Sequence, residues 1–257
     1  MKIDLANPER FDRLARPLTP AFGVLALLLG AAGLWLGLFA SPADYQQGET
    51  VRIMYVHVPA AWMALFCYSS MAFASAAGFI FKHPLADVAA RATAPIGAVF
   101  TALALITGSL WGKPMWGTWW AWDARLTSVL VLFFLYLGYI AIWEAIEDRA
   151  RAARIAAIVA LVGFVNVPII KFSVDWWNSL HQPASVFRGD GPTIHGSMLT
   201  PLLLMGAAYM AAYAALLLAS MRNAQLAARL ERLERLGEAR AATIVQEPAP
   251  HERGAST

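Results

Sequence analysis

Six times along this sequence, charged residues vanish for sixteen or more positions and then return in a short cluster. The uncharged windows are 17–43, 53–81, 92–112, 127–143, 155–170 and 191–221. A helix needs ~20 mostly apolar residues to cross a bilayer core, and lipid requires each backbone polar group to be paired within the structure. The chain as a whole is 14% charged, against about 25% for a soluble domain. The windows show no period-two alternation, which excludes a closed barrel. The expected fold is therefore all-α: a polytopic membrane protein of six transmembrane helices. The fifth window is the shortest, and Lys171 at its end can run its alkyl stem along the helix with the ammonium in the headgroups.

The first window has a flank carrying both signs of charge and an apolar run longer than a cleaved leader's, so it reads as an uncleaved first span. The single cysteine, Cys67, excludes a disulfide within the chain, and no Cys-x-x-Cys-His string is present to attach a c-type haem. Orientation follows from Lys and Arg in alternate loops. Fifteen fall on the side of the termini and of the second and fourth loops, and five on the other: Arg52, Lys113, Arg125, Lys171 and Arg188. Both termini are expected in the cytoplasm of a bacterial inner membrane. The net charge of +3 is explained by that bias and calls for membrane lipid, with no nucleic acid as partner.

The expected organisation is a six-helix membrane domain, 1–222, and a cytoplasmic tail, 223–257. In the tail, Leu226, Leu230, Leu233 and Leu236 recur at helical spacing among Arg and Glu. That pattern fits either a docking helix for a cytoplasmic partner or a continuation of the sixth span into solvent. From Ala241 the composition reads as disordered, His251 included.

The chemistry lies in the outer loops. Trp111, Trp116, Trp119, Trp120 and Trp122 are half of all ten tryptophans, within twelve residues, and Trp176 and Trp177 share their side of the membrane. An interfacial belt explains single Trp residues at helix ends. Five in one loop, beside Asp123 and Arg125, suit a platform for a large flat aromatic ligand. His57 and His181 sit in matching strings, His-Val-Pro-Ala and His-Gln-Pro-Ala, in two outer loops. Neutral imidazoles from separate loops can clamp one porphyrin from opposite faces. Two histidines without Cys or carboxylate company make a poor zinc site. His83 and His195 lack that context and read as structural. Haem also carries two propionates, for which Arg52 and Arg125 are candidate partners.

The run Trp-Gly-Thr-Trp-Trp-Ala-Trp-Asp-Ala-Arg-Leu-Thr-Ser, 116–128, resembles the tryptophan-rich "WWD" signature of the haem-handling membrane proteins of cytochrome c biogenesis. In length, six spans, two outer histidines and the loop 111–128, the chain is similar to the cytochrome c maturation protein C, or haem exporter protein C, family. The resemblance implies that His57 and His181 are axial ligands of non-covalent haem b (iron protoporphyrin IX). It implies that Trp111, Trp116, Trp119, Trp120, Trp122 and Asp123 form the platform, with Arg52 and Arg125 on the same surface. It implies as partners a periplasmic haem chaperone, cytochrome c maturation protein E, and an ABC transporter pair, cytochrome c maturation proteins A and B. It also implies a small single-span protein, cytochrome c maturation protein D. Such a chain binds and hands over haem and is not an enzyme with its own nucleophile. A haem or small-solute channel would need ionisable residues deep in the spans, which are nearly absent. An enzyme for lipid-linked or sugar substrates would need more acid at the site than Asp123.

Overall fold

The computed structural model describes residues 7–183 and 185–246. Seven α-helices follow one another: α1 (Pro8–Trp35), α2 (Met54–Phe81), α3 (Pro84–Trp116), α4 (Ala124–Ala145), α5 (Arg149–Gly163), α6 (Asn166–Trp176) and α7 (Gly196–Gln246). Six helical segments are long and apolar enough to cross a membrane, α5 and α6 together making one of 28 residues, Arg149–Trp176. The protein is a six-span, all-helical membrane protein. Because the number of spans is even, both described termini lie at one end, where Arg222 Nε of α7 donates to Asp12 Oδ1 of α1 at 2.9 Å. The other end carries the connections 36–53, 117–123 and 177–195, and is the loop end below.

The helix ends follow local chemistry. Asn7 Oδ1 accepts from the backbone N–H groups of Glu9 and Arg10, with Pro8 in the first turn of α1. Asp148 caps α5 in the same way. Gly117, at φ +75°, ends α3, its N–H donating to Lys113 O at 3.0 Å. Asp123 starts α4 by accepting from Leu126 N at 2.7 Å.

The helices outrun the uncharged windows, and this changes the outer loops. His57 was expected in a loop; it lies in the first turn of α2, which follows a 3-10 turn over Glu49–Ile53. The loop expected at 111–128 shrinks to 117–123, because α3 continues through Pro114 to Trp116. A proline near the C-terminal end of a helix costs only one backbone bond, and the turn closes beyond it. The fifth span, expected as one short helix, is two. Pro168 has no N–H for the carbonyl of Phe164, and the chain bends between α5 and α6. Helix α7 runs unbroken through the expected domain boundary at 222/223 to Gln246; residues 247–257, His251 among them, lie outside the described residues.

Inside the bundle, Tyr55, Tyr68, Tyr136 and Tyr139 are fully buried among Met71, Leu132 and Leu202. Tyr136 donates to Ala64 O at 2.8 Å, so the hydroxyl is paired where no water can serve it. Without a hydrophobic drive between helices in lipid, close packing relies on small residues. A Cβ on Gly33 of α1 would come within 2.9 Å of Met205 on α7. The lipid side is covered by exposed apolar residues such as Leu27, Phe73, Val99, Ile106 and Phe134.

A candidate porphyrin site at the loop end

At the loop end, α2, α3, α4, α6 and α7 spread apart around a cavity of about 570 Å³. Both His57 and His181 line it. His57 is aimed across α3: its Nδ1 lies 3.1 Å from Thr107 Oγ1. Thr107 spends its own proton on Leu103 O, at 2.6 Å, so its oxygen can only accept from the imidazole. His57 therefore carries its proton on Nδ1 and keeps the lone pair on Nε2. Gly108 makes room for the ring, since a Cβ there would meet His57 Cε1 at 2.9 Å. The edge of Trp111 closes the other side, with ring centres 5.6 Å apart and planes at 77°. Trp111 is itself held by donating from Nε1 to Gln47 Oε1 at 2.9 Å.

His181 repeats this arrangement with different parts. Its Nδ1 lies 3.2 Å from Asp123 Oδ2, and Trp116 stands edge-on at 4.9 Å and 64°. Oδ2 also accepts from Ser179 Oγ at 2.7 Å and Leu180 N at 3.3 Å. Burial pushes the Asp123 carboxyl up, but the hydrogen bonds from Leu126, Ser179 and His181 outweigh it, and the group ends below its ordinary value. Burial pushes the His181 imidazole below 6.5, and the pairing with Asp123 only partly offsets that. At pH 7 the pair is thus a carboxylate and a neutral imidazole whose Nδ1–H donates to it. A histidine that gives Nδ1–H to a carboxylate or hydroxyl presents Nε2 as a metal ligand, oriented and made more basic by its partner.

Cations stand on the α4 and α6 side. Arg125 donates from Nε to Ser173 Oγ at 3.2 Å and lines the cavity, as does Lys171. Arg52 does not reach it. Its Nη1 donates to Gly37 O at 2.8 Å and Ser41 O at 3.2 Å, and its Nε pairs with Glu49. Of the five loop tryptophans, Trp111, Trp116 and Trp120 face the cavity. Trp119 is 55% exposed beneath the Lys113 ammonium, and Trp122 is 77% exposed against the edge of Trp120. His195 bonds Ser197 at the start of α7 and is absent from the lining.

Sequence reasoning missed Thr107, Gly108, Trp62 and Gln47, and gave Lys171 to the headgroups. Only Lys171 carried a signal, as a lone cation four residues before Asp175 on one helix face. Among the described residues no group of three or more His, Cys, Asp or Glu comes together.

Two imidazoles, four indoles (Trp62 with Trp111, Trp116 and Trp120) and two cations line one cavity in a six-span bundle, so the chain is a helical membrane protein with an aromatic, cationic pocket at its loop end. The comparisons agree with that class. A family model described as Heme exporter protein C matches residues 1–236, and the chain belongs to this family. It is 55% identical over 240 residues to a Heme exporter protein C of Bradyrhizobium diazoefficiens, covering 93% of this chain and 91% of that protein. It is 47% identical over 219 residues to that of Escherichia coli, covering 85% and 88%. With the protein of Paracoccus denitrificans the identity is 43% over 237 residues, covering 90% and 98%.

Proposed function

We propose that this chain holds haem b non-covalently in the loop-end cavity, as cargo in cytochrome c biogenesis, and presents it to a partner. The observation that carries this reading is the pair of histidines. Each lines one cavity, has Nδ1 beside a hydrogen-bond acceptor, which leaves the Nε2 lone pair for a ligand, and meets a Trp ring edge-to-face. Two imidazoles, with no third His, Cys, Asp or Glu grouped with them among the described residues, suit an iron that brings four ligands of its own. His57 and His181 would be the axial ligands. Trp111, Trp116 and Trp120 would cover the apolar edges, and Arg125 with Lys171 would take the propionates.

The fifteen-to-five split of Lys and Arg supports placing the termini in the cytoplasm and the cavity at the periplasmic face of a bacterial inner membrane. There the exposed Trp119 and Trp122 would meet the periplasmic haem chaperone, cytochrome c maturation protein E. The ABC transporter pair and the small single-span protein complete the proposed assembly. What this chain contributes is positioning: rigid ligands hold one edge of the cargo toward the docked chaperone, with no nucleophile of its own.

Ligation is tested on purified protein titrated with haemin. Occupied protein should show a low-spin spectrum. His57→Ala and His181→Ala should each turn it high-spin or release the haem, while His195→Ala leaves it unchanged. An unaltered spectrum in both cavity variants would remove these ligands.

A further inference from the structure

Trp120 borders two spaces at once. One is the cavity between the histidines. The other is a shallow crevice on the lipid side of α3, lined by Leu105, Ile106, Ser109, Leu110 and Trp120. Leu105, Ser109 and Trp120 belong to both linings, whereas Ile106 and Leu110 belong to the crevice alone. The split follows helical phase. Positions 105 and 109 share one stripe of α3, and 106 and 110 lie one residue round, where they are 60% and 49% exposed. The cavity is therefore separated from the lipid by this edge of α3 and one indole.

The crevice lies on the uncharged stretch of α3, within 92–112, where Ile106 and Leu110 are exposed and apolar. Leu110 and Ile106 precede the end of α3 at Trp116 by six and ten residues, or ~9 and ~15 Å at 1.5 Å per residue. Half of a hydrocarbon core is about 15 Å. Its one hydroxyl is already spent, Ser109 Oγ donating to Trp119 O at 2.6 Å.

The indole closing this opening is hydrogen-bonded through its backbone and not through its ring. Thr118 Oγ1 donates to Trp120 O at 2.9 Å, and Trp120 N reaches back to Thr118 Oγ1 at 3.4 Å. Trp120 Nε1 is buried and has no partner among the described residues, the one cavity-lining indole in that state there. A buried donor left unpaired gains nothing by staying where it is and can bond a carboxylate passing it. The chain on either side is irregular: 117–123 is non-helical, begins at Gly117 in a left-handed conformation, and is tied to α3 through Trp119 O and Gly117 O, not through the Trp120 ring.

We infer that Trp120 is a side gate through which haem reaches the histidines from the membrane, sliding edge-first between the Leu105–Leu110 stripe of α3 and the loop. The gate rests on the haem reading above. It gives the amphiphilic cargo a path that never leaves the apolar phase, and keeps the open loop end for handover.

The test uses the full chain in lipid nanodiscs, mixed with phosphatidylcholine vesicles carrying haemin, with uptake followed by Soret absorbance. Ile106→Trp with Leu110→Trp fills the crevice without touching the cavity. It should slow uptake about tenfold, a barrier rise of about 1.4 kcal/mol, and leave the final spectrum unchanged. Leu137→Trp, on a lipid-exposed position of α4, controls for bulk at the lipid surface and should load at the wild-type rate. Trp120→Ala should load faster than wild type. Equal rates for wild type and the filled crevice, or equal slowing by Leu137→Trp, overturn the gate while haem binding stands. Wild-type protein that takes up no haem overturns the haem reading and the gate with it.

Discussion

Thr107→Val removes one oxygen from the site and leaves its shape alone. Valine is the same size and branches at the same carbon, so α3 keeps its packing against α2. The lost Thr107-to-Leu103 bond costs the helix little, since that carbonyl belongs to the α3 ladder. The effect falls on His57, whose Nδ1–H then faces a methyl group in place of an acceptor at 3.1 Å. In the ligand-free protein the imidazole can relieve this by moving its proton to Nε2. Ligation needs that lone pair back, so binding must bear the cost of a buried, unpaired N–H. Such a group costs about 1–3 kcal/mol, or roughly 5- to 150-fold in affinity. Measured losses of about 10–100-fold for partners of metal-bound histidines fall in the same range. The assay is haemin titration of purified protein, with thermal unfolding alongside. Thr107→Val should weaken binding within that range, stay low-spin when saturated, and unfold near the wild-type temperature. Thr107→Ser restores the oxygen and should recover most of the affinity. Binding by Thr107→Val within about twofold of wild type, or no rescue by serine, would refute the tautomer argument and with it the role given to α3.

Three further outcomes follow from the same geometry. The His181 imidazole is held below 6.5 by burial, so its neutral form, and the stability linked to it, is complete above that value and lost as pH falls through the folded value. Haem retention followed from pH 8 downward should therefore persist at pH 6.5 and fail only in more acid solution; half-loss at or above 6.5 would contradict this. Arg125→Ala should lower haem affinity with little change in melting, whereas Arg52→Ala should lower the melting temperature by unpartnering Gly37 O and Ser41 O and leave affinity unchanged. The reverse pattern would return the propionates to Arg52. Trp120→Ala should lose equilibrium haem by about tenfold, while Trp119→Ala keeps haem and loses co-purification of the haem-loaded chaperone. Equal behaviour of the two variants in both measurements would undo the division between cavity and docking face.

The six spans were legible because lipid leaves no choice about charge: each uncharged window lies within or closely overlaps one of the membrane-length helical segments. Where those segments stop was not legible, since beyond the bilayer a helix is free to carry charge and to pass a proline. The uncharged window ends at Gly112, which places the loop there, whereas α3 carries Lys113 and Pro114 in its last turns. That one misreading turned a helical face into a loop, and it hid which tryptophans share a side. Trp111 and Trp116 reach the cavity because α3 persists, and Trp120 because the chain folds back from Gly117; Trp119 and Trp122 point away. Arg52 was favoured over Lys171 by nearness to His57 in sequence, a distance that says nothing of depth or direction.

The matched His-x-Pro-Ala strings picked out two histidines that line one cavity, through a likeness that is not structural. His57 lies in the first turn of α2, with Pro59 inside the helix, while His181 lies in an irregular segment between α6 and α7. What the two share is their surroundings, a proton acceptor at Nδ1 and a Trp edge, and both sets come from one stretch of chain. Thr107 and Trp111 are four residues apart on one face of α3 and serve His57; Trp116 and Asp123 bracket the following turn and serve His181. The segment 107–123 thus sets the surroundings and tautomer of both histidines, with α3 fixing one half and the Asp123 cap of α4 the other. A movement of the loop 117–123 would act on His181 through Asp123 and leave His57 on its rigid helix. In the haem-presenting role proposed here, that asymmetry makes His181 the ligand released first when a partner engages the exposed tryptophans.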